Sequence, residues 1–334
     1  LDGAKLAEAI AFAQAHESKQ PRDLGLQVAL AFAREPYNEV LGPVGHRGPL
    51  SGVIVRRGYV AASWGEPDNV EMTFSVTKSF LSTVVGLAYE RGLIRDLNGQ
   101  VKPYVPSDLF SSAQNEPITW DHLLRQTSGW HGTLWDKPSW ADRPDGDDVW
   151  AWPGQHPPPP GKAWEYNDVR VNLLALAALH VWRKPLPVVL REEVMDPIGA
   201  SRTWAWHGYR NSWIEMEGQR IQSVSGGGHW GGGMFINAWD MARFGLLCAR
   251  RGNWNGKQIY SRKWFALATT PTPQKADYGF MNWYLRKDGS GYTVKHLGNG
   301  TNLIYADPAR DLVAVVRWIE GGQVDPFLDR LVAA

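Results

Sequence analysis

Cysteine is almost absent from this chain: Cys248 is the single one in 334 residues. That excludes an internal disulfide and any cysteine-rich metal site, and its place in the apolar run Phe244 to Ala249 reads as packing. Long hydrophobic runs are missing too. No apolar stretch reaches transmembrane length without a charge or a glycine, so the reading is a soluble protein without a membrane span. Neither sign of charge dominates, with 35 basic against 34 acidic residues and a formal net charge of +1. Nucleic acid and anionic membranes therefore have no electrostatic claim on it. Nine scattered histidines show no His-Glu-x-x-His or paired metal spacing, so neither a metal nor a cofactor is expected. The run Gly226 to Gly233 lacks the Gly-Lys-Ser/Thr ending of a phosphate loop; it reads as a flexible edge beside a cleft, with His229 structural. The chain opens on Leu1 rather than methionine, consistent with a cleaved export signal or a trimmed N-terminus. The expectation leans periplasmic or secreted, with the cytoplasm open, and the oligomeric state is left undetermined.

Tryptophan, by contrast, is abundant at 18 residues. Trp130, Trp135, Trp140, Trp150, Trp152 and Trp164 crowd into 35 residues. They can staple an irregular segment to the body, or wall a pocket for an apolar acyl or alcohol group. A mixture is expected, with Trp164 at the substrate.

The pattern along the chain predicts an N-terminal helix over 4–17, a hairpin over 51–63, and a buried helix from about Ser75 to a cation and glycine stop at Arg91-Gly92. Residues 96–225 change character, with short helical patterns broken by prolines, and read as a helical insertion that includes a strong helix over 169–182. Helix 239–251, strands 291–296, 302–306 and 312–318, and a terminal helix over 326–334 follow. This order is α+β.

Ser75-Val76-Thr77-Lys78 places a hydroxyl and an amine one helical turn apart, on one face. A helix start presents free N–H groups, which suit an oxyanion beside the serine. Serine is a weak nucleophile until something takes its proton. Lys78 can do so if burial or nearby positive charge lowers its pKa from ~10.4 towards ~7–8. Downstream stand Tyr166 in Gly161-Lys162-Ala163-Trp164-Glu165-Tyr166-Asn167-Asp168, and His296-Leu297-Gly298 followed by Asn299.

That ordered set, together with Ile118-Thr119-Trp120-Asp121-His122-Leu123-Leu124 before Thr127-Ser128-Gly129, and Gly232-Gly233-Met234-Phe235 before Asp240-Met241-Ala242-Arg243-Phe244, resembles the serine β-lactamase and penicillin-binding-protein superfamily. Within it, the chain looks most like the class C β-lactamase-related group of esterases, D-amino-acid peptidases and small-amide hydrolases. The resemblance covers roughly residues 50–334. It implies an antiparallel sheet flanked by helices with an inserted all-helical domain. Residues 1–95 and 226–334 would form the α/β part carrying Ser75, Lys78 and His296, and 96–225 the insert carrying Tyr166.

It further implies an acyl-enzyme serine hydrolase. Ser75 would attack, Lys78 and Tyr166 would handle the proton, and the backbone N–H groups of Ser75 and Asn299 would form the oxyanion hole. Two positions depart from the resemblance. Asp168 stands where asparagine is usual; it could contact substrate, or cap the helix that follows it. His296 stands where most β-lactamases have lysine, which weakens capture of a carboxylate; Gly298 lets that strand approach the substrate. The expected substrate is a small or medium apolar ester, then a short or ω-amino amide, then a β-lactam or D-amino-acid peptide. A non-catalytic binding relative is the reading from a different class.

Overall fold

The computed structural model describes residues 2–288 and 291–334. Its centre is a six-stranded antiparallel sheet in the order Trp283–Asp288, Gly291–Gly298, Asn302–Asp307, Leu312–Arg317, Ser51–Arg56, Tyr59–Trp64. The register Ser51↔Arg317 through Arg56↔Leu312 splices the early hairpin onto the late meander. Alternation decides which face each residue covers. Ile54, Leu303, Tyr305, Ala314 and Val316 point to one side, where the helices Gly3–Gln14 and Val324–Ala333 supply Leu6, Ala9, Phe327 and Leu328. Val53, Val55, Ile304, Ala306, Val313 and Val315 point to the other and join Phe80, Val84 and Phe244 from the helices Thr77–Glu90 and Ala238–Ala249. With both faces covered, these strands read as almost unbroken apolar runs.

The helix Thr77–Glu90 is buried from Thr77 to Ala88, its polar members Thr77, Lys78, Ser79, Ser82 and Thr83 included. Gly86 is fixed by packing, since a Cβ there would lie 2.1 Å from Trp264 Cε2. Arg91 and Gly92, at φ +72°, end it where the sequence places the stop. Cys248 is buried in the neighbouring helix, as the sequence indicates.

The stretch 96–225 is helical only in part. Trp120–Leu124, Asp168–Trp182 and Leu186–Leu190 are α-helices, and Arg191–Met195 continues as a π turn. The end of the stretch corrects the helical expectation. Ala205–Met216 and Gln219–Val224 form a long hairpin, with Met216 opposite Gln219. Its two-residue turn, Glu217-Gly218, has φ of +53° and +75°, the geometry that matches the right-handed twist of paired strands. Ala205–His207 then pairs with Gly233–Phe235, and that strand with Glu71–Met72, so the hairpin is tied to the segment that leads into Ser75. Among the described residues no single helix is long and apolar enough to cross a membrane.

Candidate active site

Ser75 sits in a 3-10 turn, Phe74–Val76, that runs directly into the buried helix. Phe74 holds φ +50°, a left-handed conformation that costs a bulky residue free energy and persists only where the surroundings enforce it. The enforcement is visible. Thr77 Oγ1 donates to the Phe74 carbonyl at 2.6 Å and accepts the Met234 N–H at 3.0 Å, while Thr73 N–H donates to the Met234 carbonyl at 2.9 Å. On the opposite side the strand Gly291–Gly298 passes so close that a Cβ on Gly298 would lie 2.1 Å from the Thr73 carbonyl oxygen and 3.2 Å from Ser75 N. Only glycine allows that approach, and it brings half-buried Asn299 beside the serine turn.

Lys78 Nζ donates to Ser75 Oγ at 2.8 Å and to Asp168 Oδ1 at 2.6 Å. Lysine and aspartate are each about 1 % exposed. This pair overturns the expectation of a lowered lysine pKa. Burial is the largest influence and opposes the charge, but Asp168, through charge and hydrogen bond, together with Tyr166 outweighs it, and the ammonium is held above its ordinary range. Asp168 is correspondingly pushed well below the carboxylate range: burial opposes this, and Lys78, then Arg143, outweigh it. Asp168 is also not the helix cap. Asn167 has the extended backbone of a cap and its side chain accepts the Arg170 N–H at 3.1 Å, while Asp168 is the first helical residue. At 1 % exposure its carboxylate faces Lys78 and Arg143 rather than an open cleft.

Tyr166 lies over this pair. Lys78 Nζ is 4.6 Å from its ring centroid and the Arg143 guanidinium carbon 5.0 Å. Trp164, Tyr278 and Trp283 complete an aromatic cluster around it at centroid distances of 6.0, 6.2 and 5.8 Å. Of the other crowded tryptophans, Trp130 is fully buried with its indole N–H on the Leu109 carbonyl at 2.7 Å, and Trp152 is buried. Trp150 is 91 % exposed. Stapling thus falls to Trp130 and Trp152, while Trp164 packs in the aromatic cluster around Tyr166.

The structure removes His296 from a cleft-facing position. Its ring is 3 % exposed and its Nδ1 lies 2.6 Å from Ser79 Oγ, one helical turn beyond Ser75. Burial drives its pKa down to about 3, so it is neutral at physiological pH. It borders a cavity of ≈ 20 Å³ behind the helix, shared with Asn282, Ser82 and Thr269. It therefore brings no charge to a substrate carboxylate.

The glycine run also differs from a flexible edge. Gly226 to Gly233 is buried throughout and forms the floor beneath the ion pair. A Cβ on Gly227 would lie 1.8 Å from Asp168 Oδ1 and 2.3 Å from Lys78 Nζ. Its neighbour His229 is buried in a second group that the sequence did not reveal. Arg143 donates to Asp142 Oδ1 at 2.5 Å, to Asp168 Oδ2 at 3.0 Å and to His229 Nδ1 at 3.0 Å. His229 Nε2 in turn lies 2.6 Å from Glu35 Oε2. Burial, reinforced by the Asp142 charge, raises Glu35 to about 8. Burial likewise raises Asp142 to about 6, with Arg143 opposing and Asp168 adding to the shift. Glu35, Asp142 and His229 offer ligand atoms within 4.8 Å of one another, a set that could hold a divalent cation. Arg143 already donates to two of the three, which supplies the positive charge such an ion would bring.

The chain matches the Beta-lactamase family over residues 47–327. No curated protein sequence matches it significantly. Among solved structures it is similar to a family VIII carboxylesterase, with a TM-score of 0.60, 20 % identity, and coverage of 92 % of this chain and 95 % of that one. It is similar to a β-lactamase from Mycobacterium bovis, with a TM-score of 0.58, 19 % identity, and coverage of 87 % and 96 %. A Bacillus anthracis protein provisionally assigned as a 6-aminohexanoate-dimer hydrolase aligns with a TM-score of 0.60, 17 % identity, and coverage of 85 % and 78 %. At these identities the structural likeness speaks for the fold; the family match over most of the sequence shows that the chain belongs to the Beta-lactamase family, a hydrolase family of β-lactamase fold.

Proposed function

We propose that this protein is a serine hydrolase working through an acyl-enzyme, and that its substrates are small or medium apolar carboxylic esters. The observation that carries the reading is Ser75 Oγ, 2.8 Å from a buried Lys78 ammonium at the opening of a buried helix, with Tyr166 and its aromatic neighbours above it. Ser75 Oγ attacks the carbonyl carbon. Its proton passes to the Tyr166 oxygen as the phenol hands its own proton to the departing alcohol. Lys78 remains charged: it donates to Oγ and to Asp168, and balances negative charge as it forms. The backbone N–H groups of Ser75 and Asn299 receive the oxyanion, a donor of that kind being worth ~3 kcal/mol of barrier. Water then releases the acid by the same route.

Ester preference follows from what surrounds the serine. His296 is neutral and buried, so it offers no charge to a β-lactam or peptide carboxylate, while the half-buried Trp164, Tyr166 and Trp283 offer apolar surface. The test is initial rates on p-nitrophenyl butyrate, a short p-nitroanilide and nitrocefin, with Ser75→Ala as control. Ester turnover well above the other two, lost in Ser75→Ala, is expected. Dominant anilide turnover would move the assignment to short amides, and dominant nitrocefin turnover to β-lactams. A wild-type protein that neither turns over any of them nor reacts with a fluorophosphonate is a non-catalytic relative.

A further inference from the structure

We propose that Glu35, His229 and Arg143 form a positioning relay for this site, in which a segment preceding the family-matching region holds Asp168, and through it Lys78, in place beneath Ser75. The inference rests on the serine-hydrolase reading above and adds to it residues that touch no substrate.

Hydrogen-bond chemistry fixes the relay's direction. A guanidinium only donates, so His229 Nδ1, 3.0 Å from Arg143 Nη2, must be the accepting, unprotonated nitrogen. The ring proton is then on Nε2, and it is donated to Glu35 Oε2 at 2.6 Å. Arg143 in turn donates to Asp168 Oδ2 at 3.0 Å, while Oδ1 of the same carboxylate accepts from Lys78 at 2.6 Å. Each Asp168 oxygen thus has its own donor, and rotation of the carboxylate would cost both. Glu35 orients His229, His229 seats Arg143, and Arg143 fixes the carboxylate that aims Lys78 at Ser75 Oγ.

Two further observations support a constructed device rather than an incidental salt cluster. Arg143 sits at φ +53°, a conformation that its surroundings must impose. The Phe32 ring, three residues before Glu35, packs against His229 at a centroid distance of 3.8 Å and a tilt of 41°, and lies 5.8 Å from the Arg143 guanidinium. Both Phe32 and Glu35 fall outside residues 47–327. The N-terminal segment therefore reaches a site that the family region alone leaves incomplete.

The test is the reaction of the full chain with an alkyl fluorophosphonate, resolving the limiting inactivation rate from the binding constant. Glu35→Gln keeps an acceptor for the His229 N–H and should react like wild type. Glu35→Met removes the acceptor and should slow the limiting rate by about tenfold to 10²-fold, the cost of a displacement of order 1 Å at a reacting group, with the binding constant unchanged. Arg143→Lys should behave like Glu35→Met, because an ammonium cannot span Asp142, Asp168 and His229 together. Circular dichroism at the assay temperature establishes that each variant is folded. The relay is refuted if folded Glu35→Met reacts at the wild-type rate, if Gln and Met are equally slow, or if only the binding constant moves. Loss of labelling in Ser75→Ala alongside any of those results would sink the relay alone; retained labelling in Ser75→Ala would sink the hydrolase reading beneath it.

Discussion

Replacing Asp168 by asparagine tests the feature on which the site's electrostatics turn. At 2.6 Å, two unit charges attract by about 6 kcal/mol at an effective dielectric constant of 20. Withdrawing two ions from water costs several kcal/mol each, so the intact pair contributes little net stability, whereas removing one partner strands the other and costs about 3–5 kcal/mol. Asp168→Asn and Lys78→Met should each lose stability on that scale in urea unfolding near pH 7. The double variant should lose much less than their sum, leaving a coupling of several kcal/mol. The pH dependence has a definite sign. Lys78 is held above its unfolded value, so its contribution is complete below about pH 10.5 and fades only as pH rises through its higher folded value. Asp168 is depressed, so its contribution is present above about pH 3.8 and is lost as pH falls through its folded value. In Asp168→Asn, burial acts on Lys78 without that counter-charge, so its pKa should drop and a new titration enter the neutral-to-alkaline pH–rate profile. Single-variant losses that add within about 0.5 kcal/mol, or an unchanged profile, would refute the assignment of Asp168 as the counter-ion of Lys78.

Other expectations follow from the same geometry. Gly227→Ala should retain the circular dichroism spectrum of the fold but lose hydrolytic rate on the order of 10²-fold, because the added methyl occupies the place of the Lys78–Asp168 contact; wild-type activity in this variant would mean that the pair is unimportant. The His296 imidazole, with a pKa near 3, should show no titration between pH 5 and 8 by NMR. Its share of stability is constant above about pH 6.5 and falls as pH drops towards 3, since the unfolded chain takes up the proton first, with a limiting slope of about 1.4 kcal/mol per pH unit. Cys248, buried and with its thiol pushed up to about 12 by that burial, should resist a thiol-reactive disulfide until the protein is unfolded; fast native reaction would contradict the packing role.

Much of the architecture was legible because it rests on local rules. Near-continuous apolar runs marked the strands 302–306 and 312–318, and an apolar-rich stretch closed by Arg91-Gly92 marked the serine helix. The hairpin at 205–224 was missed although Glu217-Gly218 offered a turn signal, because the short helical patterns before it set the reading for the whole stretch. The spacing of Ser75 and Lys78 was sufficient to place them on one helical turn, and the two residue types that depart from the resemblance, Asp168 and His296, were visible as departures.

What those departures do was decided by tertiary structure. A lysine's protonation depends on which charges burial brings within a few ångströms, and Asp168 is 90 residues away along the chain. The sequence therefore favoured a neutral base where the fold holds an ammonium. Asp168 and Asn167 are both good caps by residue type; only backbone conformation assigned the cap to Asn167 and freed Asp168 for the ion pair. His296 was plausible in a cleft until packing turned its ring against Ser79. Glu35, Arg143 and His229 carry no shared motif and come from segments separated by up to 194 residues. The chain alone determined the helix that opens at Ser75 and the apolar runs that build the sheet, because both depend on neighbours in sequence. The charge state around Ser75 depends on neighbours in space, and it was settled only when the glycine floor, the N-terminal segment and the helix of Asp168 closed on one another.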